Sequence, residues 1–211
     1  MFKRLAAEAL GISDIGVIIG PQDYDKVDAD DYLFHEDGEK IFFLIKSKKD
    51  EYCFTNLALI HVDGQSAVSS KRTVKRYEYS SQQIGYCVIE TAGTMDMDVE
   101  LKFSIGETSF SIDIKKSMIE QVKDIYKALL TIAKQQGRDA IARDNALRVL
   151  QSFGDMVKLG QIANEQALIS HYNAVLINLN ATVLDRYTTR DFSKVFERYI
   201  HNNAPPLPPG A

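Results

Sequence analysis

Residue types that could bind a metal or activate water are present, but their spacing does not organise a catalytic site. The four histidines, His35, His61, His171 and His201, stand far apart in the sequence, and no Cys-x-x-Cys pair occurs. A protein zinc site needs several such ligands at short, characteristic spacings. The sequence also lacks a phosphate-binding loop and a G-x-S-x-G motif. We therefore expect no catalytic residue, no cofactor and no metal, and we predict that the protein is not an enzyme.

Carboxylates occur in two groups, and each group indicates a different chemistry. Glu90, Asp96, Asp98 and Glu100 surround one predicted hairpin, where two carboxylates could act as general acid and general base. The acidic stretch 15–40 has carboxylates at alternate positions, which is an arrangement that can chelate calcium. That stretch lacks the loop glycine and the terminal bidentate glutamate of an EF-hand. Because acidic residues at turns are usually solvated, we interpret both groups as surface charge.

Composition and charge exclude several classes of protein. The 211 residues suffice for one large domain or for a domain with an appendage. The net charge of −4 argues against a general nucleic-acid binder. No apolar run approaches the roughly 20 residues of a membrane span, and the run after Lys3 and Arg4 is too short for a signal peptide. We expect a cytoplasmic protein in which Cys53 and Cys87 are buried free thiols, although a disulfide would also fit.

The stretch 84–114 has the clearest strand pattern. Apolar residues alternate along it, and two short segments with turn compositions interrupt it, so it predicts three antiparallel strands in a meander. Upstream, 39–48 and 51–63 predict two paired strands. The stretch 69–79 is charged on both faces. Such a strand cannot cross a core, so we expect it either at the edge of a sheet or projecting beyond the sheet.

Helical patterns follow the strands. The stretch 117–135 has an amphipathic stripe, and Gly137 is expected to end that helix. Further helices are predicted at 138–153 and at 164–184, and the second of these has two adjacent apolar stripes. A last helix carries its apolar residues on one side, namely Phe192, Val195, Phe196, Tyr199 and Ile200.

The wide apolar face of the helix at 164–184 predicts self-association. A helical appendage of this size has little core of its own, so another copy of the chain is the simplest cover for that face. The residues expected to form this oligomerisation face are Leu168, Tyr172, Val175, Leu176, Leu179 and Val183.

Two runs of sequence resemble the bacterial pleckstrin-homology (PH) domains. The run 52–56, which contains Phe-Thr-Asn, is followed by an aliphatic run at 59–63 that ends in aspartate, as in that family. The run 90–102 resembles the family's acidic hairpin. Family members carry Lys-Arg after the Phe-Thr-Asn triplet, whereas Leu-Ala stands at 57–58 here, so this chain lacks two positive charges at that point. The segment after Gly137 resembles, in helical character and placement, the YvbH-like oligomerisation region of some members.

The resemblance implies an α+β fold with a PH-like, partly open β-barrel or sandwich of about seven antiparallel strands, capped by the helix that follows them. It also implies a C-terminal, all-helical hairpin extension and assembly into cyclic rings. We therefore predict a bacterial PH-like domain at 1–136, a helical oligomerisation extension at 137–203 and a Pro-rich tail at 204–211. We expect residues 1–136 to fold alone. We expect the tail to be a frayed, solvated terminus, and the alternative is recognition of its P-x-x-P pattern by a proline-recognising domain.

The predicted function is a non-enzymatic module that forms a homo-oligomeric ring and binds an unidentified protein, with no nucleic acid as partner. The resemblance places protein binding on polar strand surfaces, and the charged candidates are Lys71, Arg72, Lys75, Arg76, Glu90 and Asp96. The basic strand and the acidic stretch 15–40 could also meet across a head-to-tail interface. The alternative function is binding of an anionic lipid or a phosphoinositide-like ligand, with membrane contact, through Lys46, Lys48 and Lys49.

Overall fold

Eight β-strands form two antiparallel sheets in a computed structural model that describes residues 14–64, 72–91, 98–156 and 164–200. The strands are β1 (Val17–Ile19), β2 (Ile41–Lys46), β3 (Asp50–Thr55), β4 (Ala58–Gly64), β5 (Arg72–Glu78), β6 (Ile84–Glu90), β7 (Asp98–Ile105) and β8 (Thr108–Lys115). The first five strands pair in chain order in one sheet, and the last three pair in chain order in the other. A backbone bridge between Gly16 and Ile114 joins the two sheets on one side.

The predicted meander is confirmed as β6, β7 and β8. Along β7, Val99, Leu101 and Phe103 are buried while the residues between them are half-buried, as a period of two requires. Phe103 pairs with Phe110 of β8, and their rings stack with centroids 4.8 Å apart. Gly106 makes the turn between these two strands with φ = +57°, a left-handed conformation that favours glycine.

The stretch 51–63 forms two strands, not the one strand that we predicted. The chain turns at Asn56 and Leu57 between β3 and β4. Thr55 Oγ1 accepts hydrogen bonds from the backbone N–H groups of Leu57 at 3.1 Å and Ala58 at 2.9 Å. These bonds satisfy two turn amides, and threonine and asparagine side chains commonly stabilise turns in this way.

The acidic stretch 15–40 covers the outer face of the first sheet. It contains β1 and three short 3-10 turns, which are Pro21–Lys26, Asp28–Tyr32 and His35–Asp37. Its apolar residues Val27, Ala29 and Leu33 are buried against apolar residues of β2, β3 and β4 in a second, smaller core. Most of its carboxylates are exposed or half-buried, so the surface-charge interpretation applies to one side of the stretch only.

Three α-helices follow the strands: α1 (Ile119–Met156), α2 (Glu165–Ala181) and α3 (Ser193–Ile200). The main core lies between the two sheets, the first turns of α1, and α3. Val122, Ile125 and Leu129 of α1 are completely buried there. The predicted end of the first helix at Gly137 is wrong, because α1 continues through it to Met156. A glycine costs only about 1 kcal/mol in a helix, which is too little to stop a long one.

The described residues divide into two compact units. The first unit comprises the residues up to Ala133 and those from Arg190 onward, and the second unit is Lys134–Thr189. Therefore α3 belongs to the first unit, whereas we predicted it within a helical extension at 137–203. The physical reason is that Phe192 and Phe196, only 1% and 0% exposed, are part of the main core.

The second unit consists of the later turns of α1, α2 and the π-helical turn Thr182–Arg186. Asp139 accepts hydrogen bonds from the backbone N–H of Thr189 at 2.9 Å and from Gln135 at 2.8 Å. Among the described residues of this unit, Thr182 is buried but no apolar side chain is. A helical pair that buries so little apolar surface gains little stability from its own packing.

Candidate interaction surfaces

The strand β5 lies at an edge of the first sheet, as its charge pattern predicted. Two of the predicted interaction residues, Arg72 and Lys75, are exposed on it, while Lys71 lies outside the described residues. The Arg72 Nε atom is 3.5 Å from Asp28 Oδ2. The Lys75 Nζ atom is 3.8 Å from Asp63 Oδ2. Exposed ion pairs at such distances contribute only about 0–1 kcal/mol to stability, so Arg72 and Lys75 can exchange these partners for those of a bound protein.

Arg76, also predicted as an interaction residue, is instead part of a half-buried network. Its Nη1 donates to Glu39 Oε2 at 3.0 Å, and its Nε donates to Glu78. Its guanidinium lies over the ring of Phe34, 4.6 Å from the ring centroid. Burial acts to lower the pKa of Arg76, but the hydrogen bonds to the two carboxylates prevail and raise it. Arg76 therefore stabilises the fold and is not free to bind a partner.

Glu39 is the buried centre of that network. It is 3% exposed and accepts hydrogen bonds from Thr55 Oγ1 at 2.5 Å and from the backbone N–H of Phe34 at 2.8 Å, as well as from Arg76. A buried carboxylate is tolerated when it is paired and hydrogen-bonded in this way. Acidic and basic residues that we predicted to meet between protomers thus meet within one chain.

The three lysines predicted to contact an anion do not act together. Lys46 is only 13% exposed in its side chain and forms an ion pair with Glu51. Glu51 also accepts a hydrogen bond from the backbone N–H of Ala29 at 2.9 Å. Lys48 and Lys49 are exposed in the turn between β2 and β3. Two solvated lysines beside a neutralised third make a weak site for a phosphate group.

Glu90 lies at the exposed end of β6, and the other acidic candidate, Asp96, is outside the described residues. Lys102 Nζ is 2.9 Å from Glu90 Oε2 and 3.0 Å from Glu100 Oε2. Hydrogen bonds to these two carboxylates raise the pKa of Lys102, and hydrogen bonds from Ser111 and Lys102 lower the pKa of Glu100. A general acid would need a raised pKa, so Glu100 is not suited to that role.

The asparagine of the Phe-Thr-Asn triplet connects distant parts of the chain. Asn56 is completely buried. Its Oδ1 accepts from the backbone N–H of Lys40 at 2.9 Å, and its Nδ2 donates to Asp191 Oδ2 at 3.1 Å. Its carbonyl oxygen accepts from the backbone N–H of Phe192 at 2.9 Å. The sequence analysis missed this role, although a Thr-Asn pair inside an apolar run was a signal for it.

Asp191 lies at the start of the segment that leads into α3, and Asn56 holds this segment through its hydrogen bonds to Asp191 and Phe192. The Oδ1 atom of Asp191 accepts a hydrogen bond from the backbone N–H of Ser193 at 2.7 Å, which forms an Asx-turn immediately before α3. Burial is the largest single influence on its pKa and acts to raise it. Hydrogen bonds from Ser193 and Asn56, together with the charge of Lys40, outweigh burial and lower the pKa of Asp191 below its ordinary value.

The predicted oligomerisation face lies on the surface of the second unit. Tyr172 is 64% exposed and Leu176 is 39% exposed. The other predicted members are Leu168, Leu179 and Val183, which are exposed, and Val175, which is half-buried. Three more apolar residues of the second unit are exposed, namely Ile169, Ile177 and Leu184. Exposed apolar residues at helical spacing are typical of interaction surfaces.

The described residues contain no group of three His, Cys, Asp or Glu side chains that could hold a metal ion. Cys53 and Cys87 are buried free thiols, as predicted. Burial raises the pKa of Cys87 to about 12 and also raises the pKa of Cys53, so neither thiol is activated. In the part of the chain that the structure describes, no helix is both long enough and apolar enough to cross a bilayer.

Two family models match the chain and confirm the resemblance seen in the sequence. The model of the bacterial PH domain matches residues 9–133, and the model of the YvbH-like oligomerisation region matches residues 173–202. The first match spans more than half of the 211 residues, and the chain therefore belongs to the bacterial PH domain family. The second match begins within α2 and includes α3, so it covers part of the exposed apolar face and also Phe192 and Phe196.

The chain is similar to two proteins of Bacillus subtilis and to a solved structure. The uncharacterised protein YvbH of Bacillus subtilis strain 168 is 52% identical over 206 residues, which cover 96% of this chain and 100% of that protein. The uncharacterised protein YjqA of the same strain is 34% identical over 99 residues, which cover 46% of this chain and 76% of that protein. A crystal structure of a PH-domain-containing protein from Exiguobacterium sibiricum 255-15 matches with a TM-score of 0.81 and 46% identity, covering 89% of this chain and 100% of that one.

Proposed function

We propose that the protein is a non-enzymatic PH-like module that self-assembles into a cyclic, higher-order homo-oligomer through the apolar face of its second unit. The carrying observation is that Tyr172, Leu176 and their apolar neighbours are exposed on a unit whose described residues bury no apolar side chain. Each square ångström of apolar surface left in water costs about 25 cal/mol, so this face gains from a second copy of the chain. The match of residues 173–202 to an oligomerisation region supports the same assignment.

A ring requires a head-to-tail contact, in which one surface of each protomer meets a different surface of the next. The apolar face supplies one such surface, and the exposed basic side chains Arg72 and Lys75 on the edge strand β5 supply charges that orient a neighbour or a protein partner. Glu90, exposed at the end of β6, adds an acidic group to the polar strand surfaces. We infer that an unidentified protein binds these surfaces. The buried free thiols Cys53 and Cys87 support a cytoplasmic location, where thiols stay reduced.

Leu176→Asp tests the self-assembly. An aspartate there would bring an uncompensated charge into the buried interface, so we expect the assembly to dissociate or shrink. The matched control is Ala174→Asp, because residue 174 is also exposed on α2 but lies about 200° around the helix from residue 176. Light scattering on both variants should give a smaller mass for Leu176→Asp and the wild-type mass for Ala174→Asp. Unchanged assembly in Leu176→Asp would show that this face is not the interface.

Binding to anionic lipid is the alternative, and the position of Lys46 argues against it. Because Lys46 is paired with Glu51, only Lys48 and Lys49 of the three predicted lysines are exposed to a membrane surface. We expect no salt-sensitive binding to vesicles that contain phosphatidylserine. Binding that disappears when Lys48 and Lys49 are both replaced by alanine would instead favour the lipid alternative.

A further inference from the structure

A cavity of about 460 Å³ lies in the first unit, between β1, β2, the first turns of α1 and the end of α3. Protein interiors rarely contain a void larger than a water molecule, whereas sites for small molecules typically measure about 300–1,000 Å³ and have mostly apolar walls. Pro21 and Gln121 line this cavity and are exposed, so it opens to solvent. Most of the wall is apolar and comes from Ile18, Ile19, Ile41, Phe42, Phe43 and Ile200.

A β-bulge in β2 brings two neighbouring aromatic residues to the same side of the strand. In a regular strand, successive side chains point to opposite faces. The pairing of β2 with β3 shifts register between Ile41 and Phe43, so Phe42 is an extra residue on β2. The rings of Phe42 and Phe43 both lie beside Phe196, with centroid distances of 5.0 Å and 6.2 Å. Bulges are common next to functional sites, where they redirect a side chain.

Two polar side chains of the wall already have partners within the protein. The hydroxyl group of Tyr24 donates a hydrogen bond to the carbonyl oxygen of Phe42 at 3.1 Å, and burial raises the pKa of Tyr24, so the phenol stays neutral. Asp124 is 3% exposed and forms an ion pair with Lys127, whose Nζ atom lies 3.8 Å from Asp124 Oδ1. A charged ligand would therefore lose its hydration in this cavity without gaining a new partner from these groups, which is costly.

We propose that this cavity binds an uncharged hydrophobic small molecule, whose apolar body contacts Phe42, Phe43 and Ile200. Removal of apolar surface from water drives such binding, and it needs no charge on either side. A neutral polar group of the ligand, such as a hydroxyl, lies at the opening beside Gln121, because a side-chain amide can both donate and accept a hydrogen bond.

The site is separate from the proposed self-assembly. All of its lining residues belong to the first unit, whereas the apolar oligomerisation face belongs to the second. Ile200 completes the wall, so the cavity depends on α3 and on the burial of Phe192 and Phe196 that anchors this helix. Loss of self-assembly and loss of ligand binding can therefore be measured independently.

Displacement of a fluorescent dye from the full-length protein tests the proposal. The dye N-phenyl-1-naphthylamine is uncharged, and its emission increases in apolar surroundings. The competitors 1-octanol, octylamine and octanoate share one apolar chain, and the last two are charged at neutral pH. We expect saturable dye binding, and we expect octanol to displace the dye at a concentration about tenfold or more below that of either charged competitor, because burial of a charge is costly. No dye binding, or equal displacement by all three competitors, would overturn the proposal.

Two variants that fill the cavity locate the site. Ile200→Trp and Ile41→Trp place an indole in it from α3 and from β2, and each should abolish dye binding. The matched control is Lys194→Trp, at an exposed position of α3, which should bind the dye as the wild type does. The native chain contains no tryptophan, so the emission wavelength of the new indole reports whether it is buried. Circular dichroism on each variant establishes that it is folded. Wild-type dye binding in a folded variant with a buried indole would place the dye elsewhere and refute the site.

Discussion

Replacing Phe196 by alanine tests whether α3 is part of the first unit's core. The ring of Phe196 is 0% exposed and stacks on Phe42, with centroids 5.0 Å apart and planes 16° apart. The rings of Phe43 and Tyr79 lie 6.2 Å and 6.4 Å away. Truncation of a buried phenylalanine to alanine costs about 3–5 kcal/mol, because the surrounding side chains only partly fill the space. A whole domain is stable by about 5–15 kcal/mol, so we expect a large loss of stability.

The assay is chemical unfolding followed by circular dichroism, at one protein concentration, because self-assembly makes stability depend on concentration. Hydrogen exchange should show faster exchange in β2, which contains Phe42 and Phe43. The matched control is Lys194→Ala, an exposed residue of the same helix, which should change the free energy of unfolding by less than about 0.5 kcal/mol.

Truncation after residue 136 extends the test. It removes Phe192, Phe196 and the partner of Asn56, so we now expect the remaining fragment to be at least as destabilised as Phe196→Ala. Wild-type stability in Phe196→Ala, or a fragment 1–136 that unfolds at the same denaturant concentration as the full chain, would refute the argument that α3 completes the core. Our expectation from the sequence that residues 1–136 fold alone would then be restored.

Three further predictions follow from the described contacts. Asn56→Ala removes the side-chain hydrogen bonds to the Lys40 N–H and to the Asp191 carboxylate, so unfolding measurements should show a loss of stability of about 1–3 kcal/mol. Because the folded pKa of Asp191 is lowered, its carboxylate stabilises the fold above the unfolded pKa of about 4, and this contribution disappears as pH falls through the folded pKa. Between about pH 6 and about pH 3, the melting temperature of Asp191→Asn should therefore fall by less than that of the wild type. An equal fall in both proteins would contradict this account. Cys53 and Cys87 should react with an aromatic disulfide reagent only after unfolding, and fast reaction of the native protein would show that they are accessible.

Local patterns were sufficient to predict much of the fold. The meander of β6 to β8 followed from alternation of apolar residues, since one side of that sheet faces a core and the other faces water. The edge position of β5 followed from charge on both of its faces. The division of the stretch 51–63 into two strands was missed, because its apolar run continues across the turn and only Thr55 and Asn56 indicate a break.

The return of α3 to the first unit could not be predicted from local patterns. Asn56 and Asp191 are 135 residues apart in the sequence, and nothing near either residue indicates the other. The amphipathic side of α3 was predicted correctly, but an apolar stripe does not reveal which surface it covers. The same limitation applies to α2, whose exposed face was predicted from its pattern and whose partner is still a proposal.

Charged residues were the least predictable part of the candidate surfaces. Lys46 and Glu51 are directly opposite each other in the β2–β3 hairpin, so a correct register would have predicted their ion pair. The pairs Arg76–Glu39 and Arg72–Asp28 depend on how the acidic stretch folds over the sheet, which its composition did not indicate.

The native mass of the full-length protein is the most direct test of the proposed self-assembly. Native mass spectrometry over a range of protein concentrations should give one discrete species whose mass is a multiple of the protomer mass and higher than that of a dimer. A ring closes at a fixed number of subunits, so this number should not change with concentration. A monomer at all concentrations, or a series of species that grows without closing, would contradict the proposed ring.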